Sequence, residues 1–106
     1  MTETGKHPKL SIIIPAKNEA AVIGDVVSSV RGVCKDAEIL VVDDGSTDDT
    51  AALAEQPGVR VIRHPVSLGN GAAIKAGARA ASGDILIMMD GDGQHKAEDI
   101  PSLLEK

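Results

Sequence analysis

Apolar residues gather in short blocks along the chain, and between the blocks their period changes. Leu10-Ser11-Ile12-Ile13-Ile14 is a compact β-branched run closed by Pro15, which predicts a buried strand. Ala20, Ile23, Val26, Val27 and Val30 then recur at helical spacing, with Gly32 as the predicted stop. Glu38 to Val42 predicts a second strand that runs out into Asp43-Asp44-Gly45. Ser46 or Thr47 can cap a second helix through Ala51, Ala52 and Leu53, with Asp48 and Asp49 in its first turn and Pro57-Gly58 at its end. Val59 to Arg63 predicts a third strand, Gly69 to Ala81 a third helix, and Ile85 to Met89 a fourth strand after the turn Ser82-Gly83-Asp84. Gly69, Ala73 and Gly77 form a small-residue stripe that lets the third helix approach a sheet closely. A loop after Asp90 and a polar helix from about Ala97 complete the pattern. Residues 1–9 are polar, carry Gly5 and Pro8, and read as a flexible tail; residues 10–106 read as a single unit.

Strands alternating with helices predict an α/β fold: a central, mainly parallel sheet of about four strands between two helical layers. Ligands of such sheets bind beyond the carboxyl ends of the strands. Three polar segments fall there: Pro15-Ala16-Lys17-Asn18-Glu19, Asp43-Asp44-Gly45-Ser46 and Asp90-Gly91-Asp92-Gly93-Gln94-His95. Carboxylates crowded on one rim repel one another unless a cation or hydrogen-bond donors are present. Asp90 and Asp92, separated by one glycine, suit a hard cation such as Mg2+ or Mn2+, which takes one or two carboxylates and completes its shell with phosphate and water. Taken alone, an Asp-Gly-Asp turn is ordinary surface chemistry; the preceding strand and the two other rim segments favour a site. Asp43 and Asp44 suit both turn chemistry and ligand contact. Asn18 and Glu19 suit a helix start as well as a pocket, and Lys75 suits a phosphate contact or plain solvation.

Composition narrows the function. The chain has no Phe, Tyr or Trp and a net charge of -5, which argues against a basic nucleic-acid face and rules out aromatic stacking platforms for single strands. Cys34 is the single cysteine, so an intrachain disulfide and a cysteine zinc cluster are both impossible; a reducing, cytoplasmic setting is expected. No apolar run approaches the ~20 residues of a membrane span. Gly69-Asn70-Gly71-Ala72-Ala73-Ile74 begins like a dinucleotide fingerprint but has Ile at its sixth position, and a Walker loop is absent. His7, His64 and His95 have no nucleophile in a supporting context.

Ser11 to Glu19, Ile39 to Asp48 and Asp90 to His95 together resemble family 2 glycosyltransferases of the GT-A fold. Gly69 to Gly77 and Ser82 to Asp84 match that family in kind and order, over nearly the whole chain. Within it, the chain looks most like the dolichol- or polyprenyl-phosphate mannosyltransferase type. The resemblance implies a nucleotide-diphosphate-sugar donor such as GDP-mannose or a UDP-sugar, a lipid-phosphate or glycan acceptor, and Mg2+ or Mn2+. It implies Pro15, Ala16 and Glu19 around base and ribose, and Asp43 or Asp44 on the base. It also implies Asp90 on ribose or metal, Asp92 on metal, and Gln94 as an added metal ligand. Family domains are much larger than 106 residues. The chain therefore reads as the donor-binding half, with the acceptor site and general base elsewhere in a longer protein working at the cytoplasmic membrane face. The aromatic residue common near Lys17 in relatives is absent. The alternative reading is a non-catalytic nucleotide-binding α/β fragment. An uncovered sheet edge beside the fourth strand is expected to promote homo-oligomers.

Overall fold

A computed structural model describes residues 9–89. Their elements are β1 (Leu10–Ala16), α1 (Ile23–Val33), β2 (Glu38–Asp44), α2 (Thr50–Ala54), β3 (Val59–His64), α3 (Asn70–Ala80) and β4 (Ile85–Met88). The strands form one sheet in the order β3-β2-β1-β4, with every pairing parallel. The α/β architecture expected from the alternating pattern is therefore present. The predicted last helix, and the predicted tail apart from Lys9, lie outside the described residues.

The two central strands are buried on both faces, which is why they read as continuous apolar runs rather than alternating ones. Ile12, Ile14, Ile39 and Val41 pack with Ile23, Val26, Val27 and Val30 of α1 and Ala54 of α2. Ile13, Leu40 and Val42 face the other way and pack with Ala73 of α3. With no aromatic side chain to fill space, α3 instead comes close to the sheet. A Cβ added at Gly77 would sit 2.5 Å from Cγ2 of Ile13, so any larger residue here forces Ile13 or the helix to shift. Ala73 and Gly77 are the buried residues of α3, while Gly69 lies just outside the helix as its N-cap. The small-residue stripe thus has two packing members and one turn member.

Pro15 does not end β1 as its lack of an N–H suggests. Pro15 pairs with Val42, and Ala16 with Asp43. Peptide groups alternate sides along a strand, and the carbonyl of Ile13 accepts the N–H of Met89 at 2.9 Å on the β4 side. The nitrogen of Pro15, two residues on, faces that same side, past the last β1–β4 register pair of Ile13 with Met88. The missing donor thus costs no ladder bond between β1 and β2. Likewise α1 runs through Gly32 to Val33, and the N–H of Cys34 closes on the carbonyl of Val30. Cys34 is half-buried, and burial pushes its thiol pKa up.

The amino ends of the strands are tied by a separate network. Glu38 Oε1 accepts Ser11 Oγ at 2.7 Å, Ser82 N at 2.8 Å and Ser82 Oγ at 3.2 Å. The N–H of Gly83 donates to Ser11 Oγ at 2.9 Å. The carbonyl of Lys9 accepts Asp84 N at 2.8 Å and Ile85 N at 3.1 Å, so Lys9 is fastened to the segment that leads into β4. The Ser82-Gly83-Asp84 turn is therefore a staple at the rim away from the expected site. β4 is an edge strand among the described residues, and Ile85, Leu86 and Met88 are exposed. No helix of the described residues is long and apolar enough to cross a membrane.

Candidate functional site

The chain steps outward from β1 to β2 to β3, then α3 carries it back across to the far side of β1. The order of connection reverses between β1 and β4, and open parallel sheets bind ligands beyond the carboxyl ends at such a reversal. Pro15 and Ala16 end β1 beside this reversal, and Met89, held by Ile13, stands at the carboxyl end of β4. The register extends the rim sideways: Ala16 is level with Asp43, Asp43 with Arg63, and Asp44 with His64. The fold thus sets the first two predicted polar segments on one rim. Asp90, Asp92 and Gln94 lie outside the described residues. Among the described residues no group of three His, Cys, Asp or Glu side chains could hold a metal ion.

The loop after β1 is fastened to the loop after β2. Asn18 adopts a left-handed backbone at φ 54°. Its N–H donates to Ser46 Oγ at 2.8 Å, and its Oδ1 accepts the N–H of Thr47 at 2.9 Å and Thr47 Oγ1 at 3.3 Å. The N–H of Glu19 donates to Thr50 Oγ1 at 2.9 Å, and that of Ala20 to Asp48 Oδ2 at 3.2 Å. This arrangement corrects the capping expected for α2. Ser46 and Thr47 are drawn to Asn18, the helix begins only at Thr50, and Asp48 Oδ1 accepts the N–H and the hydroxyl of Thr50. The polar side chains of Ser46-Thr47-Asp48 serve the neighbouring loop, a long-range competitor invisible to local capping rules.

The paired aspartates have different surroundings. Asp44 Oδ1 accepts His64 Nδ1–H at 3.0 Å and Leu68 N–H at 2.8 Å, while Oδ2 accepts Ser67 Oγ–H at 2.9 Å and Gly69 N–H at 3.0 Å. A carboxylate offers about four lone-pair sites, so these donors engage its whole capacity. Burial works to raise the Asp44 pKa, but the hydrogen bonds from Leu68, His64, Ser67 and Gly69 outweigh it and hold the carboxyl well below the usual range. Gly45 follows at φ 74°, where a Cβ would run into the backbone of Val66 and Ser67. Asp44-Gly45 therefore seats the β3–α3 loop. Asp43 is equally buried, yet among the described residues Oδ1 accepts only Ser46 N–H at 3.2 Å, and Oδ2 has Arg63 Nε at 3.8 Å, beyond hydrogen-bond range.

Glu19 is half-buried at the rim, and its carbonyl accepts the N–H groups of Val22 and Ile23 that start α1. Lys75 is exposed in the second turn of α3, on the opposite side from Ala73 and Gly77. No hydrogen bond among the described residues joins it to the rim. His64 is the rim residue that the sequence reading passed over. The signal that finds it is strand register, which sets a histidine opposite the second aspartate.

The profile of the family described as Glycosyl transferase family 2 matches residues 11–106. The undecaprenyl-phosphate 4-deoxy-4-formamido-L-arabinose transferase of Enterobacter sp. (strain 638) is 34% identical over 116 aligned positions, covering 100% of this chain and 36% of the relative. The enzyme of that name from Sodalis glossinidius is 38% identical, covering 99% of this chain and 35% of the relative. Glucosyl-3-phosphoglycerate synthase from Mycobacterium tuberculosis, solved with Mn2+, UDP and glucosyl-3-phosphoglycerate, superposes with a TM-score of 0.80 at 33% identity, over 92% of this chain and 39% of that one. The mannosyltransferase PcManGT from Pyrobaculum calidifontis, solved with GDP-Man and Mn2+, gives a TM-score of 0.76 at 25% identity, over 82% of this chain and 28% of that one. The chain thus spans about a third of the length of the curated relatives it matches.

Proposed function

The chain belongs to glycosyl transferase family 2, and from that premise we propose that it is the donor-binding part of a metal-dependent glycosyltransferase. Its ligand is a nucleotide-diphosphate sugar, a UDP-sugar or GDP-mannose. The whole protein transfers the sugar to a polyprenyl phosphate or a related acceptor. The observation that carries this reading is topological. The reversal of strand order falls between the end of β1, with Pro15 and Ala16, and the end of β4, whose Met89 immediately precedes Asp90 in the sequence. The ligands of the solved neighbours, Mn2+ with UDP or GDP-Man, and the undecaprenyl-phosphate relatives support donor, metal and acceptor class respectively.

In this proposal Pro15, Ala16 and Glu19 line the base and ribose pocket. Asp43 has acceptor capacity for a base N–H, whereas Asp44 can accept one only by giving up a bond to the β3–α3 loop. Asp90, Asp92 and Gln94 hold Mg2+ or Mn2+; two carboxylates and an amide oxygen are donors of the hard type such an ion takes. When bound, the ion neutralises charge on the departing diphosphate. Lys75 is the weakest member of the set, because it stands on the solvent side of α3. The β4 edge is a pairing surface, filled by a second copy of the chain when the protein is studied as these 106 residues. Calorimetric titration of UDP and GDP tests donor binding: saturable binding with Mn2+ that EDTA removes is expected, and no heat with either nucleotide contradicts it.

A further inference from the structure

Resting on that donor-binding reading, we propose that Asn18 is a positioning residue that pre-forms the base and ribose pocket by locking the loop after β1 onto the loop after β2. Pro15 and Ala16 end β1, where the sheet already sets Ala16 level with Asp43, whereas Glu19 stands on the loop beyond the ladder. A ligand touching Asp43 and Glu19 together needs that loop held at a fixed separation from β2. Ordering a free loop costs backbone entropy at every residue, and any of that cost left until binding weakens affinity. Five hydrogen bonds cross between the loops, and three are made by Asn18 itself. The other two come from Glu19 and Ala20, the next residues along.

Asn18 supplies two properties at once. Its short amide side chain tolerates the left-handed backbone at φ 54°, which turns its own N–H toward Ser46. Its Oδ1 also takes both donors of Thr47. The residue is exposed and lies outside the apolar clusters that hold the sheet to its helices. Its effect therefore falls on loop geometry rather than on the apolar core.

Three variants separate these properties. Asn18→Asp keeps the acceptor and the backbone preference, Asn18→Gly keeps only the backbone, and Asn18→Ala keeps neither. Two readouts are taken: amide exchange at residues 18, 19, 20 and 47 without ligand, and affinity for Mn2+ with UDP or GDP at high salt, where the added charge of the Asp variant is screened. The expected order in both is wild type, Asp, Gly, Ala, with Asp within about twofold of wild type and Ala about tenfold weaker. Denaturation midpoints should stay together. Should Ala unfold the chain, Gly decides alone. Full affinity or unchanged exchange in Gly and Ala overturns the proposal. Absence of nucleotide binding by the wild type is a different result, because it removes the donor reading on which the proposal rests.

Discussion

His64 and Asp44 are register partners at the carboxyl ends of β3 and β2, and the imidazole Nδ1–H donates to the carboxylate at 3.0 Å. The same carboxylate takes Ser67, Leu68 and Gly69, so one buried side chain carries the chain from the end of β3 to the start of α3. Asp44→Asn keeps the shape but turns one acceptor oxygen into a donor facing other donors. A loss of about 2 kcal/mol in unfolding free energy is expected by chemical denaturation, with faster amide exchange at Leu68 and Gly69. Unchanged exchange at those two amides would show that the carboxylate does not hold the loop.

Acid should weaken the fold through Asp44 and Glu38. Hydrogen bonds from Ser82 and Ser11 hold the Glu38 carboxyl below its usual range, and those to Asp44 do the same there. A carboxyl with a folded-state pKa below its unfolded value contributes its full stability above the unfolded value, near 4, and loses it as pH falls toward the folded one. Thermal midpoints should be flat from neutrality to about pH 5 and drop below about pH 4. The drop should be shallower in Asp44→Asn.

Close approach of α3 to β1 makes two glycines of one helix behave oppositely. Gly77→Ala places a methyl group against Ile13 and should cost about 1–3 kcal/mol. Gly71 has open space around its Cβ position, so Gly71→Ala should be neutral or gain up to about 1 kcal/mol from helix propensity. Equal effects on urea midpoints would contradict the packing account.

The β4 edge makes a concentration-dependent prediction. Self-association should appear by light scattering as concentration rises, and Leu86→Lys, at an exposed apolar position of that edge, should reduce it. A clean monomer throughout would show that the edge is not a pairing surface.

The sheet and the helix order were legible because the β-branched runs of β1 and β2 are buried on both faces and the α1 stripe keeps helical period. Exact ends were less so. Pro15 stays in β1 because its missing donor falls past the end of the β4 ladder, which depends on a strand some seventy residues away. The start of α2 was misread because Ser46 and Thr47 are taken by Asn18 across 28 and 29 positions. The two rim segments after β1 and β2 were legible from strand ends alone. The division of labour between Asp43 and Asp44 was not, since it depends on where His64 and the loop through Gly69 return.

Asp90-Gly91-Asp92 follows β4 in the sequence and is central to the proposed function. Its most direct test is calorimetric titration of UDP and GDP into wild type and Asp92→Ala, each with Mn2+ and with EDTA. The account predicts Mn2+-dependent binding by wild type that Asp92→Ala loses, with both proteins unfolding at the same urea concentration. Binding of equal strength in the variant, or binding indifferent to Mn2+, would contradict a metal–diphosphate site at this motif.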